Sequence, residues 1–144
     1  MRFMIFRKAD AQTEAGLLPS TDLIEAMTAY NESLSRAGVL LAGEGLKPSS
    51  EGVRYHFADG EATVTDGPFA EAKEVIGGYA IYQAHSLDDL RPWSERFGRA
   101  IGTGTSEIRP VYGAEDFGEA FTPELQAQEE RLRAEGAARS QSAA

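Results

Sequence analysis

The amino-acid sequence predicts an α+β domain in which two helices cover one face of a sheet. Three observations indicate this class. Strand-type apolar patterns occur at the start of the chain, in its middle and near residue 110. Two segments with helical spacing of apolar residues lie between these strands. The chain has no further helices that could form a third layer. A chain of 144 residues has the usual size of a single domain.

The first half of the chain predicts a central strand, a helix and a second strand. Arg2–Arg7 has apolar side chains on both faces, as a strand inside a sheet needs. Residues 9–20 lack periodicity and contain glycine and proline, so they predict a loop long enough to fold over a pocket mouth. Apolar side chains recur at helical spacing in residues 22–37, and a short strand over residues 39–46 follows.

The second half predicts further strands, a second helix and a C-terminal extension. The strands are predicted at Val53–Phe57, Ala62–Thr65, Tyr79–Gln83 and Ser106–Tyr112, and the helix at about Leu90–Ile101 with its N-cap at Asp89. Asp59-Gly60 is a typical hairpin turn. Thr122-Pro123 starts a weakly apolar helix. We therefore expect a domain over residues 1–118, a helical extension over 119–135 and a disordered tail over 136–144.

Charge and composition exclude several classes of protein. The formal charge of −9 repels nucleic-acid backbones and anionic membrane surfaces, so neither is an expected partner. The chain has no cysteine, which excludes disulfides, thiolate nucleophiles and cysteine metal sites. The N-terminal apolar stretch is far shorter than a signal sequence or a membrane span. A cytoplasmic protein is the expectation.

The apolar pattern also predicts a homodimer. Strands with apolar side chains on both faces need both faces covered, and two helices cover only one of them. We therefore expect the other face to pack on the same face of a second copy.

The most distinctive stretch is Thr65–Tyr82, where Asp66-Gly67-Pro68 predicts a stiff turn. Two interpretations of Asp66 are open. Its carboxylate either accepts hydrogen bonds from the amides of its own turn, or it is presented to a pocket as an acid or base.

A group of charged residues around this turn is the strongest candidate for chemistry. The members are Glu44, Asp66, Glu71, Lys73, Glu74, Glu107 and Arg109. A carboxylate held in a cleft beside others can act as a base, with Lys73 or Arg109 holding an anionic substrate. Surface pairing is the alternative for the segment after the turn. Tyr30 and Phe69 are candidates for the pocket wall, with ordinary core packing as their alternative.

Several motifs together resemble one family. They are Asp66-Gly67-Pro68-Phe69 with Glu71, Lys73 and Gly77-Gly78, then Tyr30-Asn31-Glu32, Gly38–Leu46, Glu107–Val111 and Glu115–Gly118. These motifs resemble the DGPF proteins, a branch of the YCII-like superfamily, over residues 2–118.

The resemblance implies a ferredoxin-like sheet with two packed helices, of the dimeric α+β barrel type. A few relatives are lyases, isomerases or dehalogenating enzymes. The resemblance therefore implies a small-molecule lyase or isomerase with Asp66 as acid or base, supported by Glu44. It equally implies a non-catalytic ligand-binding or regulatory module, because genes for such proteins often lie beside those of extracytoplasmic-function sigma factors. A dimeric scaffold without a ligand is a third interpretation.

Histidine chemistry is not expected. Better-known relatives carry a histidine on the first helix that pairs with an aspartate, and the matching position here is close to Met27. His56 and His85 fall at exposed or capping positions of the predicted elements. The chain also lacks a nucleotide-binding loop and clustered metal ligands, so we expect neither a cofactor nor a metal.

Overall fold

The computed structural model describes residues 1–70 and 74–142. The chain divides into two compact units, the first of which is Met1–Val111, while the second begins at Tyr112.

The first unit is built on a four-stranded sheet with the strand order β2-β5-β1-β6. Its strands are β1 (Arg2–Lys8), β2 (Leu40–Gly45), β5 (Ile76–Gln83) and β6 (Ser106–Pro110). All three neighbouring pairs are antiparallel. With β1 and β2 separated by β5, this is the split βαβ arrangement of a ferredoxin-like sheet, and the predicted α+β class is confirmed.

Two helices cover one face of this sheet. They are α2 (Thr21–Arg36), which Ser20 caps by accepting a hydrogen bond from the Leu23 amide at 3.2 Å, and α3 (Arg91–Ile101). Their inward side chains meet Phe3 and Ile5 of β1 in a core whose buried members are Phe3, Ile5, Tyr30, Leu34, Tyr82 and Leu90. Burial of each large side chain contributes about 1.5–3 kcal/mol to the free energy of unfolding.

The start of α3 differs from its prediction. Asp89 was expected to be the N-cap, whereas a 3₁₀ turn at Asp88–Leu90 precedes a helix that begins at Arg91. The Asp89 carboxylate accepts a hydrogen bond from the Ser86 amide at 2.9 Å, and the Ser86 hydroxyl accepts one from the Asp89 amide at 3.3 Å. The Asp89 side chain therefore bonds to the backbone one turn before the helix begins. Pro92 still lies in the first turn of α3, where its missing N–H costs nothing.

A hairpin forms a separate two-stranded sheet from β3 (Val53–Ala58) and β4 (Glu61–Asp66). Its turn has positive φ angles at Asp59 and Gly60, 51° and 83°, as a tight hairpin requires. In its register Tyr55 pairs with Val64 and His56 with Thr63, so the two faces of β3 differ in polarity.

The loop after the hairpin is fixed by Ser49, a buried polar residue. The Ser49 hydroxyl accepts a hydrogen bond from the Phe69 amide at 3.0 Å and donates one to the Glu14 carboxylate. Glu14 ends a short helix, α1 (Ala11–Glu14), inside the segment predicted to be a loop. A Cβ at Gly67 would lie 1.7 Å from the Ser49 carbonyl oxygen, so only glycine fits there. Ser49 thereby joins the N-terminal loop to the turn that contains Asp66.

In the second unit, a helix α4 (Pro123–Ser142) follows a 3₁₀ segment at Ala114–Ala120. The helix continues past residue 135 through residues 136–142, which the sequence analysis assigned to a disordered tail. Ion pairs four residues apart, such as Arg133 with Glu129 at 2.9 Å, support this polar helix. The domain boundary at residue 118 stays a prediction.

No helix among residues 1–70 and 74–142 is both long and apolar enough to cross a membrane.

We predict that Ser49→Ala lowers the free energy of unfolding by about 1–3 kcal/mol, because the Phe69 amide and one oxygen of the Glu14 carboxylate lose their hydroxyl partner, while the backbone amide of residue 49 still bonds to the other oxygen of Glu14. Urea denaturation measures this change. Ser50→Ala, at the exposed neighbouring position, is the matched control. Equal midpoints for the two variants would contradict the role assigned to Ser49.

Candidate functional site

A cavity of about 400 Å³ lies between the inner face of the sheet and helices α2 and α3. Its volume is in the range of about 300–1,000 Å³ that small-molecule sites occupy. Most of its wall is apolar. The apolar side chains are Ile5, Pro19, Leu23, Ile24, Met27, Leu40, Ala80, Phe97, Ile101 and Ile108.

Four glycines form the floor of the cavity on β2 and β5: Gly43, Gly45, Gly77 and Gly78. Gly45 pairs with Gly78 in the register of the two strands, so neither strand places a side chain at that point. A Cβ at Gly78 would lie 3.1 Å from the Glu44 carbonyl oxygen, whereas a Cβ at Gly45 would meet no atom within 4 Å. Gly45 therefore borders open space.

Two tyrosines close one part of the wall with a hydrogen-bonded chain. The Tyr30 hydroxyl donates to the carbonyl oxygen of Trp93 at 3.1 Å, and its oxygen lies 3.2 Å from the Tyr82 hydroxyl. Because Tyr30 has a single hydroxyl proton, Tyr82 is the donor in the second bond. This chain joins α2, α3 and β5.

The environment keeps both tyrosines protonated. Burial raises the pKa of Tyr82, and the hydrogen bond with Tyr30 raises it further. Burial also raises the pKa of Tyr30. The two side chains are therefore hydroxyl groups at neutral pH and cannot serve as phenolate bases.

Arg7 brings a positive charge to the cavity wall. In the register of β1 it lies between Gly78 of β5 and Ser106 of β6, on the same face as Phe3 and Ile5. Its Nε atom is buried and has no hydrogen-bond partner among the described residues. Its contact with the Asp10 carboxylate measures 3.6 Å, longer than a hydrogen bond.

Two of the residues predicted for the site border this cavity, Tyr30 and Glu44. The Tyr30 hydroxyl takes part in the hydrogen-bonded chain with Tyr82 and Trp93. Glu44 is exposed and pairs with Tyr79, one position away from the Gly43–Ala80 pair that faces the helices. Because successive side chains of a strand alternate between faces, the Glu44 carboxylate belongs to the opposite face and its backbone borders the cavity.

The structure does not bring the other described candidates to the cavity. Asp66 is exposed at the end of β4, and Phe69 packs under Arg54, whose guanidinium carbon lies 4.1 Å from the ring centre. Arg109 pairs with Met4, on the sheet face opposite Ile5 and the helices. Lys73, like Glu71, lies outside the described residues. The roles predicted for these residues stay predictions.

Two acids of the predicted group, Glu74 and Glu107, pair with Lys8, a residue that was not among the candidates. Its ammonium group lies 2.8 Å from Glu107 and 3.9 Å from Glu74. The hydrogen bond with Glu107 raises the pKa of Lys8 and lowers that of Glu107. These charges form their own cluster in a second, polar depression with Asp10.

Met27 lines the cavity at the place where the family resemblance implies a histidine in other members, and a thioether cannot transfer protons. His56 and His85 are exposed. Among residues 1–70 and 74–142, no group of three or more histidine, aspartate or glutamate side chains is arranged to hold a metal ion.

Arg7 was not among the residues predicted for the site. The sequence nevertheless indicated the position of Arg7, because Phe3, Ile5 and Arg7 are every second residue of one strand and therefore lie on the same face. A charged residue that continues the apolar face of a central strand points toward the helices rather than to solvent.

The fold and this cavity define a small α+β domain of the ferredoxin-like class with a mainly apolar cavity between its sheet and its helices. The chain belongs to the family of the YCII-related domain, whose model matches residues 1–115. An uncharacterized protein of Rhizobium meliloti (strain 1021) is 31% identical over 86 residues, which are 59% of this chain and 69% of that protein.

This chain is also similar to a solved structure, that of 5-chloro-2-hydroxyhydroquinone dehydrochlorinase from Burkholderia phenoliruptrix in complex with 2,5-dihydroxybenzoquinone. The two chains are 21% identical with a TM-score of 0.45, and the similarity covers 78% of this chain and 94% of that chain.

We predict that stability falls above about pH 10, in part through Tyr82. An unfolded tyrosine ionises near pH 10, whereas burial raises the pKa in the folded state, so the contribution is complete below pH 10 and is lost as the pH rises above it. Between pH 8 and pH 11, the free energy of unfolding of Tyr82→Phe should fall by about 1 kcal/mol less than that of the parent protein. Urea denaturation at both pH values measures the difference. An equal loss in the two proteins would contradict this account.

Proposed function

We propose that this YCII-related domain binds a small, mainly apolar molecule in the cavity between the sheet and helices α2 and α3. One observation supports this proposal above the others. The cavity has a largely apolar wall and a glycine floor, so its volume of about 400 Å³ exists because side chains are missing where strands β2 and β5 pair.

The physical basis is the hydrophobic effect. A ligand that replaces water at this wall gains about 25 cal/mol for each Å² of apolar surface removed from water. The hydroxyl groups of Tyr30 and Tyr82 lie at the same wall and can orient a polar group of the ligand through their oxygen lone pairs. The site is therefore equipped for binding and orientation.

Acid–base chemistry of the lyase or isomerase kind stays a prediction. It needs a carboxylate or another group that exchanges protons near neutral pH beside the ligand. Asp66 is exposed away from the cavity wall, and Glu44 borders the cavity by its backbone. The regulatory association with sigma factors and the cytoplasmic location also stay predictions, and neither is needed for binding.

We predict that Gly45→Val abolishes binding while the protein stays folded, because the new side chain enters open space in the cavity. The probe is the uncharged fluorophore N-phenyl-1-naphthylamine, whose emission rises in an apolar site. Its affinity should fall at least tenfold in the variant. Far-ultraviolet circular dichroism checks the fold.

Ala42→Val is the matched control, because Ala42 lies on the same strand and its register partner Ile81 belongs to the opposite face. Asp66→Asn is a second control and should bind the probe as the parent does. If the parent does not bind the probe, or if Gly45→Val binds it as the parent does, the proposed function is wrong.

A homodimer is part of the same proposal, and the hairpin supports it. Val53, Tyr55, Phe57 and Val64 are between 51% and 73% exposed, and Tyr55 stacks on Phe57 with ring centres 6.2 Å apart. A hairpin alone is marginally stable in water, and an exposed apolar patch marks an interaction surface. A second copy of the chain would cover this face.

We predict that light scattering after gel filtration gives twice the mass of one chain at micromolar concentration. Tyr55→Asp should shift the protein toward the monomer, because it places a charge on the apolar face of β3. His56→Asp puts the same group on the other face of that strand and should leave the dimer intact. A monomeric parent protein would refute the dimer.

A further inference from the structure

We infer that Arg7 is the anchor for an anionic group, so that the cavity selects small apolar carboxylic acids. This inference rests on the proposed function and adds the ligand class. It starts from one observation: Arg7 lines a mainly apolar cavity, and the one carboxylate near its guanidinium group, that of Asp10, is 3.6 Å away, longer than a hydrogen bond.

The unused Nε–H donor of Arg7 costs stability. The Nε atom is shielded from solvent and has no acceptor among the described residues, so the folded chain bears its desolvation without a compensating hydrogen bond. Because Nε has no accessible surface, the donors of Arg7 that a ligand can reach are its Nη groups, since the side chain as a whole is 28% exposed.

The nearest protein carboxylate does not serve this purpose. Asp10 has one oxygen occupied by the Thr13 amide and the Thr13 hydroxyl, both at 2.8 Å, because Asp10 caps helix α1. Its other oxygen lies 3.6 Å from an Nη atom of Arg7 and does not reach Nε. Asp10 therefore moderates the charge of Arg7 without forming a hydrogen bond to its guanidinium group.

The free edge of the guanidinium matches a carboxylate. The two Nη groups of arginine can form two parallel hydrogen bonds with the two oxygens of one carboxylate, a geometry that a lysine ammonium cannot copy. Arg7 is flanked in the sheet by Gly78, which has no side chain, and by Ser106, whose hydroxyl is a further donor. Both flanking residues also line the cavity, so there is room for the group beside Arg7.

The rest of the cavity sets the remaining properties of the ligand. Its apolar wall disfavours a second charge, because a buried ion without a partner is costly. The described lining offers hydroxyl and amide groups from Tyr30, Tyr82, Asn31, Thr28 and Ser94, but no second cation. The geometry therefore favours a monocarboxylate with an aliphatic or aromatic body.

The test is competition between a carboxylate and its uncharged amide. Increasing 4-phenylbutanoate or 4-phenylbutanamide displaces N-phenyl-1-naphthylamine from the parent protein, and the acid should bind about tenfold more tightly or better. Arg7→Met should remove this preference and keep binding of the uncharged probe. Arg7→Lys keeps the charge without the paired donors and should retain only part of the preference.

Arg2→Met is the matched control, because it removes the same charge from the same strand at a position whose partner Gln83 is exposed. It should leave the preference for the acid unchanged. Circular dichroism and the affinity for the uncharged probe show that each variant is folded with an intact cavity.

The outcomes separate the two proposals. If the probe binds but acid and amide compete equally, or if Arg2→Met and Arg7→Met weaken the acid alike, the role of Arg7 is overturned while the cavity stands. If the uncharged probe does not bind, or if Gly45→Val leaves its binding unchanged, the proposed function fails and the ligand class fails with it.

Discussion

The cavity depends on a packing constraint between strands β2 and β5. Where Gly45 and Gly78 face each other, the sheet offers only backbone to the helices above it. Helices α2 and α3 cannot sink into the space, because side chains such as Phe3, Tyr82 and Leu34 hold them off the sheet in the core. The core side chains fix the distance between the sheet and the helices, and the neighbouring part of the sheet has no side chains that could fill this distance. Space therefore remains between the sheet and the helices.

The tyrosine chain stabilises this separation. Tyr30 on α2 and Tyr82 on β5 meet through their hydroxyl groups, and Tyr30 also bonds to the backbone of α3 at Trp93. A buried chain of this kind fixes both the distance and the orientation of the three elements, because each donor has one acceptor at the required length. Both tyrosines also line the cavity, so the core and the cavity share one wall.

Charge is divided between the two faces of the sheet. The register of β1 assigns Lys8 to one face, where it meets Glu107 and Glu74, and Arg7 to the other, where it borders the cavity. Two adjacent basic residues thus have different roles through strand alternation alone. The Lys8 ammonium group lies at hydrogen-bonding distance from a carboxylate, whereas the contact of Arg7 with Asp10 is longer than a hydrogen bond.

Much of the fold could be predicted from local patterns, since the spacing of apolar residues in 22–37 and the strand at the N-terminus lie where the structure has α2 and β1. The candidate site could be predicted only in part. Tyr30 was predicted for the pocket wall and lines the cavity. Asp66 was predicted from its stiff turn, which fixes the direction of the side chain but does not reveal what lies in that direction. The hairpin carries that turn away from the cavity, and sequence distance gave no sign of it.

The amino-acid sequence by itself determined the class of the fold and the Asp59-Gly60 hairpin, because these follow from periodicity and from backbone preferences within a few residues, and its motifs indicated the family by resemblance. Only the tertiary structure decided which residues meet: the register that places Gly45 against Gly78, the pairing of Glu107 with Lys8, and the unused donor of Arg7. The physical reason is that register and burial depend on contacts between distant segments, whose energies no local pattern contains.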